Sequence, residues 1–156
     1  MTTKSKSEKK RWHKMMDAIT STMKIDPDEY SHITSPSRFS SFGYALAGWL
    51  YMLRRQKNTR IQAVASVLVF LFALWLQIDV VRWAILILTI TIVWMAEFLN
   101  AAVEAVINIV SPDYHPMAKV GKDVAAAAVL LGVVAAVLVG LLILGPALLA
   151  KFSIVI

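Results

Sequence analysis

The sequence contains no cysteine and relatively few charged residues. Among its 156 residues there is no Cys, and Asp, Glu, Lys and Arg together make up 17%. The absence of Cys excludes disulfide bridges, iron–sulfur clusters, thiolate zinc sites and cysteine nucleophiles. Because soluble domains are typically about one quarter charged, the composition is not that of a typical soluble enzyme. Any catalytic chemistry must use carboxylates, amides, amines or hydroxyl groups.

The motifs of several common enzyme classes are also absent. Gly43 and Gly48 have the glycine spacing of a P-loop, but no Lys-Ser or Lys-Thr pair follows Gly48. Neither the G-x-S-x-G motif of serine hydrolases nor the H-E-x-x-H motif of zinc proteases occurs. A kinase of the usual soluble folds is therefore excluded.

Apolar residues dominate, and the positive charge lies near the N-terminus. Hydrophobic residues make up 58% of the chain and the mean hydropathy is +0.66. The formal net charge is +6, and residues 1–60 contain most of the Lys and Arg. No base-reading motif accompanies this charge, so we expect anionic lipid headgroups, and not nucleic acid, as its partner.

The hydropathy pattern predicts an all-α membrane protein with three transmembrane helices and an N-terminal amphipathic surface helix. A polar basic extension of residues 1–36 precedes a membrane domain of residues 37–145, and residues 146–156 form a C-terminal tail. The predicted surface helix covers residues 37–58, and the predicted spans cover residues 60–77, 81–110 and 117–144. We expect no Pro inside a helix, because Gly145 and Pro146 follow the last span. The positive-inside rule places the N-terminus in the cytoplasm.

The second span carries a stripe of polar residues in its C-terminal half. The stripe consists of Glu97, Asn100, Glu104 and Asn108, spaced by three, four and four residues. Helical geometry brings such residues onto one face over about 16 Å. Because an ionised carboxylate facing lipid is costly, we expect Glu97 to face protein, an ion or a substrate.

The third span opens with Lys122 and Asp123, at a depth similar to that of the stripe. Carboxylates, amides and a lysine at a membrane boundary are typical of a site for a divalent cation and a polyphosphate. Simpler roles remain open: interhelical hydrogen bonds for Asn100 and Asn108, and a Glu104–Lys122 ion pair. His115, in the loop before the third span, is interpreted as an interfacial polar residue more readily than as a metal ligand.

Two other functions compete with that of an enzyme that binds a polyphosphate. Paired intramembrane carboxylates are also expected in a small ion-conducting or transport subunit. The stripe, however, occupies only one half of its span, and only Thr89 and Thr91 continue it. A non-catalytic membrane protein anchored by its basic N-terminus would leave the carboxylates unexplained.

Two segments closely resemble the signature of a known enzyme family. The segments are EFLNAAVE (residues 97–104) and SPDYHPMAKVGKDVAAAAVLL (residues 111–131). Together with Tyr44, Gly48, NTRI (residues 58–61) and WLQID (residues 75–79), they resemble the small prokaryotic membrane lipid kinases, the diacylglycerol kinase and undecaprenol kinase family. The resemblance covers residues 44–131. It implies a homotrimer in the inner (plasma) membrane that transfers the γ-phosphoryl group of ATP, with Mg²⁺, directly to a lipid alcohol.

The resemblance also implies roles for individual residues. Glu97 would be the general base, Asn100 would orient it, and Glu104 would hold the metal ion. The residues implied around the nucleotide are Tyr44, Gln56, Glu104, Asn108, Asp113, Tyr114, His115, Lys122 and Asp123.

One position departs from the family pattern. Gln56 stands where the diacylglycerol kinases have a second metal-ligating Glu, and a neutral amide is a weaker magnesium ligand than a carboxylate. The loop and the residues that follow it look more like the undecaprenol kinase branch. The choice between undecaprenol and diacylglycerol as substrate therefore stays open.

Overall fold

The computed structural model describes residues 9–10, 12–13 and 38–153, with side chains from residue 41 onward in the long stretch. The predicted extension of residues 1–36 therefore lies almost entirely outside the described residues. The described part of the chain is α-helical, without a strand. Its long helices are α1 (Arg38–Arg55), α2 (Lys57–Leu76), α3 (Val80–Val110) and α4 (Pro116–Ser153).

Helices α2, α3 and α4 are each long and apolar enough to cross a membrane. Their lengths of 20, 31 and 38 residues meet or exceed the roughly 20 residues that a bilayer requires. Helix α1 precedes them and ends in Arg54 and Arg55. The predicted class, an all-α membrane protein with three spans and a surface helix, is confirmed.

The chain forms two compact units, Met1–Leu46 and Ala47–Ile156, and α1 contributes to both. In the first unit, the side chains of residues 41–46 are exposed. In the second unit, α3 and α4 share the largest helix–helix interface, and α2 packs more lightly against each of them. The second unit has a loop end, defined by residues 111–115, and a turn end, defined by residues 77–79.

The break between the surface helix and the first span lies at Gln56. Its backbone is extended, with φ −95° and ψ 118°, and its N–H donates to the carbonyl of Met52 at 2.9 Å. Helix α2 starts at Lys57, so residues 57–58 belong to the first span and not to the predicted surface helix. No Pro or Gly marks this junction, and hydropathy alone therefore does not locate it.

Tight local geometry joins α2 to α3 at the turn end. Gln77 ends α2 in a left-handed conformation with φ 54°, and its N–H donates to the carbonyl groups of the last turn. Asp79 then begins α3 as its N-cap, because its Oδ1 accepts from the N–H groups of Val81 and Arg82 at 3.0 and 3.1 Å. The two helices are therefore antiparallel neighbours.

Helix α4 continues through Pro146 to Ser153, so the predicted helix end at Leu144 and the expected absence of an internal Pro are wrong. A Pro removes one backbone hydrogen bond, but leaving the helix within an apolar segment would free several backbone groups. The residues around Pro146 also belong to the packed core: Leu144 is buried in it, and Ala147 and Leu148 pack against it. Tertiary packing thus maintains the helix past a residue that usually ends one.

The densest packing lies near the turn end. Buried residues from all three spans form one cluster there: Ala73, Leu76, Ile78, Leu86, Ile143 and Leu144. Lys151 joins the ends of α4 and α2, since its Nζ donates to the carbonyl of Trp75 and lies 4.5 Å from the centroid of that ring. The loop end contains fewer buried apolar residues in the described part of the chain, and the polar side chains collect there.

Candidate active site

Glu97 is the buried carboxylate of the membrane region. Helix α3 places it about five turns from the turn end, and only 4% of its surface is exposed. This burial is what we expect of a residue that faces protein, an ion or a substrate. A buried carboxylate in an apolar span is costly unless a partner or a substrate compensates it, so this position is the natural centre of a functional site.

The predicted polar stripe continues from Glu97 toward the loop end. Asn100 donates through Nδ2 to Oε1 of Glu104 at 3.4 Å, within α3. Asn108 accepts through Oδ1 from Nζ of Lys122 on α4 at 2.6 Å. Glu97 is buried, Asn100 and Glu104 are half-buried, and Asn108 is exposed. The stripe therefore leads from the interior of the spans to the aqueous loop end.

Lys122 contacts the stripe at Asn108 and not at Glu104. The ion pairs of the described residues are Asp79–Arg82 and Lys119–Asp123, so the alternative of a Glu104–Lys122 pair is not realised. The alternative of an interhelical hydrogen bond is realised for Asn108, whereas Asn100 bonds within its own helix. Asp123 is exposed and pairs with Lys119 one turn away.

The loop between α3 and α4 is ordered by short-range hydrogen bonds. His115 accepts through Nδ1 from the N–H of Met117 at 3.2 Å and so caps the first turn of α4. Ser111 donates through Oγ to the carbonyl of Asp113 at 3.1 Å. The side chains of Asp113 and Tyr114 are exposed. His115 therefore has a structural role as a helix cap, in addition to the interfacial position that its residue type predicts.

A mostly apolar cavity of about 670 Å³ lies between the three spans, and Glu97 lines it. Its other polar lining residues are Asn58, Gln62 and Ser66 on α2. From there the lining runs along α2 to Phe72 and along α4 to Leu148, near the turn end. The cavity is therefore polar at one end and apolar along the rest, as the binding site of an amphiphile must be.

Three buried polar atoms near Glu97 have no hydrogen-bond partner among the described residues. They are Oγ1 of Thr59, Nε2 of Gln62 and Oδ1 of Asn100. Leaving such an atom unpaired costs on the order of 1–3 kcal/mol, and a bound molecule or ion removes that cost. Gln62 lines the cavity and Asn100 belongs to the stripe, so their unpaired atoms indicate a binding site, whereas Thr59 does not line the cavity.

The polar face of α2 was missed by the sequence analysis. Asn58, Thr59, Gln62 and Ser66 follow one another at spacings of one, three and four residues. This is the same helical spacing that identified the stripe on the second span. The spacing is visible in the sequence, but burying an uncharged polar side chain in an apolar span costs less than burying a carboxylate, so it is weaker evidence for a functional site.

An aromatic cluster beside Glu97 packs Trp49, from the part of α1 in the second unit, against α3, and a hydrogen bond joins the cluster to α2. Trp49 stacks on Trp94 with a centroid distance of 4.7 Å and contacts Phe98 at 5.0 Å. Trp94 donates through Nε1 to Oγ of Ser66 at 3.1 Å, and that hydroxyl donates to the carbonyl of Gln62 at 2.8 Å. These contacts set the register of α2 against α3 at the polar end of the cavity.

The donor set fits a hard divalent cation bound together with phosphate. The described residues contain no group of three His, Cys, Asp or Glu side chains arranged to hold a metal by themselves. Mg²⁺, however, is usually bound by one or two carboxylates, with phosphate oxygens and water completing its shell. Glu104 and the unpartnered Oδ1 of Asn100 supply oxygen ligands of that kind.

Two of the predicted nucleotide-site residues, Gln56 and Tyr44, take part in none of the side-chain contacts described above. Gln56 is half-buried between α1 and α2, and its side chain makes no capping hydrogen bond. Tyr44 belongs to the first unit and is 60% exposed.

The family model described as prokaryotic diacylglycerol kinase matches residues 43–144. The diacylglycerol kinase of Synechocystis sp. is 42% identical over 117 residues, which cover 74% of this chain and 67% of that protein. The undecaprenol kinase of Bacillus subtilis is 32% identical over 120 residues, covering 76% and 98%. The diacylglycerol kinase of Escherichia coli K12 is 32% identical over 96 residues, covering 62% and 79%.

The matched region, residues 43–144, contains all three polar segments described above: the start of α2, the stripe on α3 and the start of α4. The predicted family and the predicted class of enzyme, a lipid kinase, are thereby confirmed. The chain belongs to the prokaryotic diacylglycerol kinase family.

Proposed function

We propose that the protein transfers the γ-phosphoryl group of ATP, with Mg²⁺, to the hydroxyl group of a membrane lipid, undecaprenol or diacylglycerol. One observation carries the proposal: Glu97 lies where an apolar cavity between the spans meets a polar stripe that leads to the aqueous loop end. A lipid hydroxyl reaches a carboxylate there from one side, and a water-soluble phosphate donor reaches the same point from the other.

Glu97 acts as the general base in this proposal. Its carboxylate takes the proton from the lipid hydroxyl, and the lipid oxygen forms a bond to the γ-phosphorus. The bond between that phosphorus and the β,γ-bridging oxygen breaks in line, and ADP leaves with the electron pair. The family resemblance implies that Asn100, one turn further along α3, orients this base, and in this structure its amide donates to Glu104. Because phosphoryl transfer depends mainly on positioning and charge neutralisation, a fixed carboxylate in a dry site suits it.

Glu104 would hold the metal ion, and Gln56, as the resemblance implies, would contribute a weaker amide ligand. Mg²⁺ held there would supply positive charge that neutralises the phosphates. Glu104 lies about 10 Å from Glu97 by helical rise, toward the loop end, which leaves room for a triphosphate between them. The unpartnered Oδ1 of Asn100 supports an oxygen-ligand site on this side of Glu97.

The nucleotide is bound around the start of α4. Lys122, held by Asn108 at 2.6 Å, supplies positive charge for the phosphates. Asp123, His115 and the exposed loop residues Asp113 and Tyr114 surround the nucleoside. These roles rest on the family resemblance, and the exposure of the loop supports access by a soluble nucleotide.

The protein resides in the inner (plasma) membrane with its N-terminus and the loop of residues 111–115 in the cytoplasm, where ATP is available. The basic residues near the start of the chain support this orientation. Because the chain has no Cys, single substitutions such as Met117→Cys and Val80→Cys report sidedness directly. An impermeant maleimide added to intact cells should label Val80→Cys and not Met117→Cys. Labelling of Met117→Cys alone would show that the orientation is the reverse of the proposed one.

The direct test measures lipid phosphorylation by the purified full-length chain. In mixed micelles with Mg²⁺ and labelled ATP, undecaprenol and diacylglycerol are supplied side by side, and at least one should become phosphorylated. Glu97→Gln should lower turnover about 10²- to 10⁴-fold, because it removes the base, while nucleotide affinity is retained.

Thr91→Val is the matched control for Glu97→Gln. Thr91 lies on the same helix, and its hydroxyl bonds only to the carbonyl of Ile87 in its own helix. Turnover by this variant should equal that of the wild type. Unchanged turnover in Glu97→Gln would show that Glu97 is not the base. If the wild type phosphorylates neither lipid, the proposed function is wrong.

A further inference from the structure

Gln62 lies level with Glu97 on the opposite side of the cavity. The hydrogen bond between Trp94 and Ser66 fixes the register of the antiparallel helices α2 and α3. From that contact, Gln62 lies four residues toward the loop end on α2, about 6 Å, and Glu97 lies three residues toward it on α3, about 4.5 Å. The two side chains therefore line the same level of the cavity.

The amide nitrogen of Gln62 is a hydrogen-bond donor without an acceptor. Nε2 is shielded from solvent and donates to no other described residue. The neighbouring hydroxyl of Ser66 already donates to the carbonyl of Gln62, and the amide of Asn100 donates to Glu104. A molecule that occupies the polar end of the cavity must therefore supply an acceptor to Gln62, or the buried donor stays unpaired.

The two lipid classes differ in what they offer to such a donor. If Glu97 accepts the proton of the reacting hydroxyl, as the proposed function requires, Gln62 faces the part of the lipid next to that hydroxyl. In a diacylglycerol this part contains ester carbonyl groups, which accept hydrogen bonds. In a polyprenol it is hydrocarbon, which does not. A site with a buried polar group discriminates against a ligand that leaves the group unpaired.

We propose that Gln62 is a specificity-determining residue that donates a hydrogen bond to an ester carbonyl of the lipid and so favours an acylglycerol over a polyprenol. The inference rests on the proposed function and names the lipid class for the same site. Asn58, about one turn away, lines the cavity at the same polar end.

The experiment compares three lipids with the full-length protein in mixed micelles: dioleoylglycerol, its dioleyl ether analogue without carbonyl groups, and undecaprenol. The wild type should show kcat/KM for the ester about 3- to 10-fold above that for the ether, the range of one hydrogen bond. Gln62→Met keeps the side-chain length and removes both N–H donors. It should raise KM for the ester until kcat/KM is equal for the ester and the ether. The kcat for the ester, and both kcat and KM for undecaprenol, should stay within twofold of the wild type.

Thr59→Val is the matched control. It removes another unpartnered buried polar atom from α2, three residues away, but Thr59 does not line the cavity. The ester-to-ether ratio should remain that of the wild type in this variant. A general effect of altering the polar face of α2 would change the ratio in both variants and would overturn the proposal.

Other outcomes separate this inference from the proposed function. An active wild type without an ester-to-ether difference, or equal losses on all three lipids in Gln62→Met, would overturn the assignment of Gln62 and leave the kinase intact. A wild type that phosphorylates none of the lipids would overturn both.

Discussion

A carboxylate buried among apolar helices must be compensated, and Glu97 is compensated by no ion pair in the described part of the chain. Its burial and its place on the cavity wall follow from the packing of α2 and α4 against α3. At the residue scale, the arrangement resembles a site prepared for a ligand more than a finished structural contact. The unpaired atoms of Gln62 and Asn100 support the same interpretation.

The two lysines at the start of α4 provide a matched test of nucleotide binding. Lys122 bonds to Asn108 on the stripe, whereas Lys119 pairs with Asp123 on its own helix. Lys122→Met should raise KM for ATP about 10-fold or more, because a charged hydrogen-bond donor to phosphate is lost, and Lys119→Met should change it by less than twofold. Equal effects in steady-state kinetics would contradict the role of Lys122.

At the element scale, each span begins or ends through a local device that its sequence contains. Asp79 caps α3, His115 caps α4 and Gln77 ends α2 in a left-handed conformation. The C-terminal end of α4 is the exception, since the helix passes through Pro146. Local signals therefore explain three helix ends, and core packing explains why α4 continues past Pro146.

The cap of α3 makes helix stability depend on pH. The backbone N–H of Arg82, above all, together with the nearby Arg82 guanidinium, lowers the pKa of Asp79 below its ordinary value. A carboxyl whose folded-state pKa is lowered stabilises the fold above its unfolded pKa, and this contribution is lost as the pH falls through the folded-state pKa. The wild type should therefore lose stability over that acidic range.

Two substitutions check this expectation. Asp79→Asn keeps an N-cap acceptor and should remain folded with little pH dependence from this position, and Asp79→Ala should be less stable at neutral pH. The measurement is the unfolding midpoint in detergent at neutral and at acidic pH. If Asp79→Ala unfolds at the wild-type midpoint under both conditions, the cap does not contribute.

At the scale of the whole molecule, much of the apolar surface of the spans is exposed. Large hydrophobic side chains are exposed on α2, for example Val64, Leu68 and Leu71, and α2 packs only lightly against α3 and α4. Lipid covers such surface in a membrane, and so does another copy of the chain. The family resemblance predicts a trimer, and the exposed apolar face of α2 is consistent with that prediction.

The trimer can be checked by the mass of the protein in detergent. Static light scattering on the purified protein, corrected for bound detergent, should give three times the chain mass of 17.3 kDa. Because packing against a neighbour would cover the exposed face of α2, Leu68→Lys should shift the population toward smaller species, with Leu131→Lys on the exposed face of α4 as the comparison. A monomeric wild type would contradict the prediction.

The amino-acid sequence by itself determined the class of the protein and the acidic half of its site. Long apolar runs must become helices in a bilayer, and the spacing of Glu97, Asn100, Glu104 and Asn108 puts them on one helical face, whatever the neighbours are. What lies opposite that face depends on helix packing and register, which hydropathy does not encode. Only the tertiary structure paired Lys122 with Asn108, brought Gln62 level with Glu97 beside an apolar cavity and carried α4 past Pro146, because each depends on contacts between segments distant in the chain.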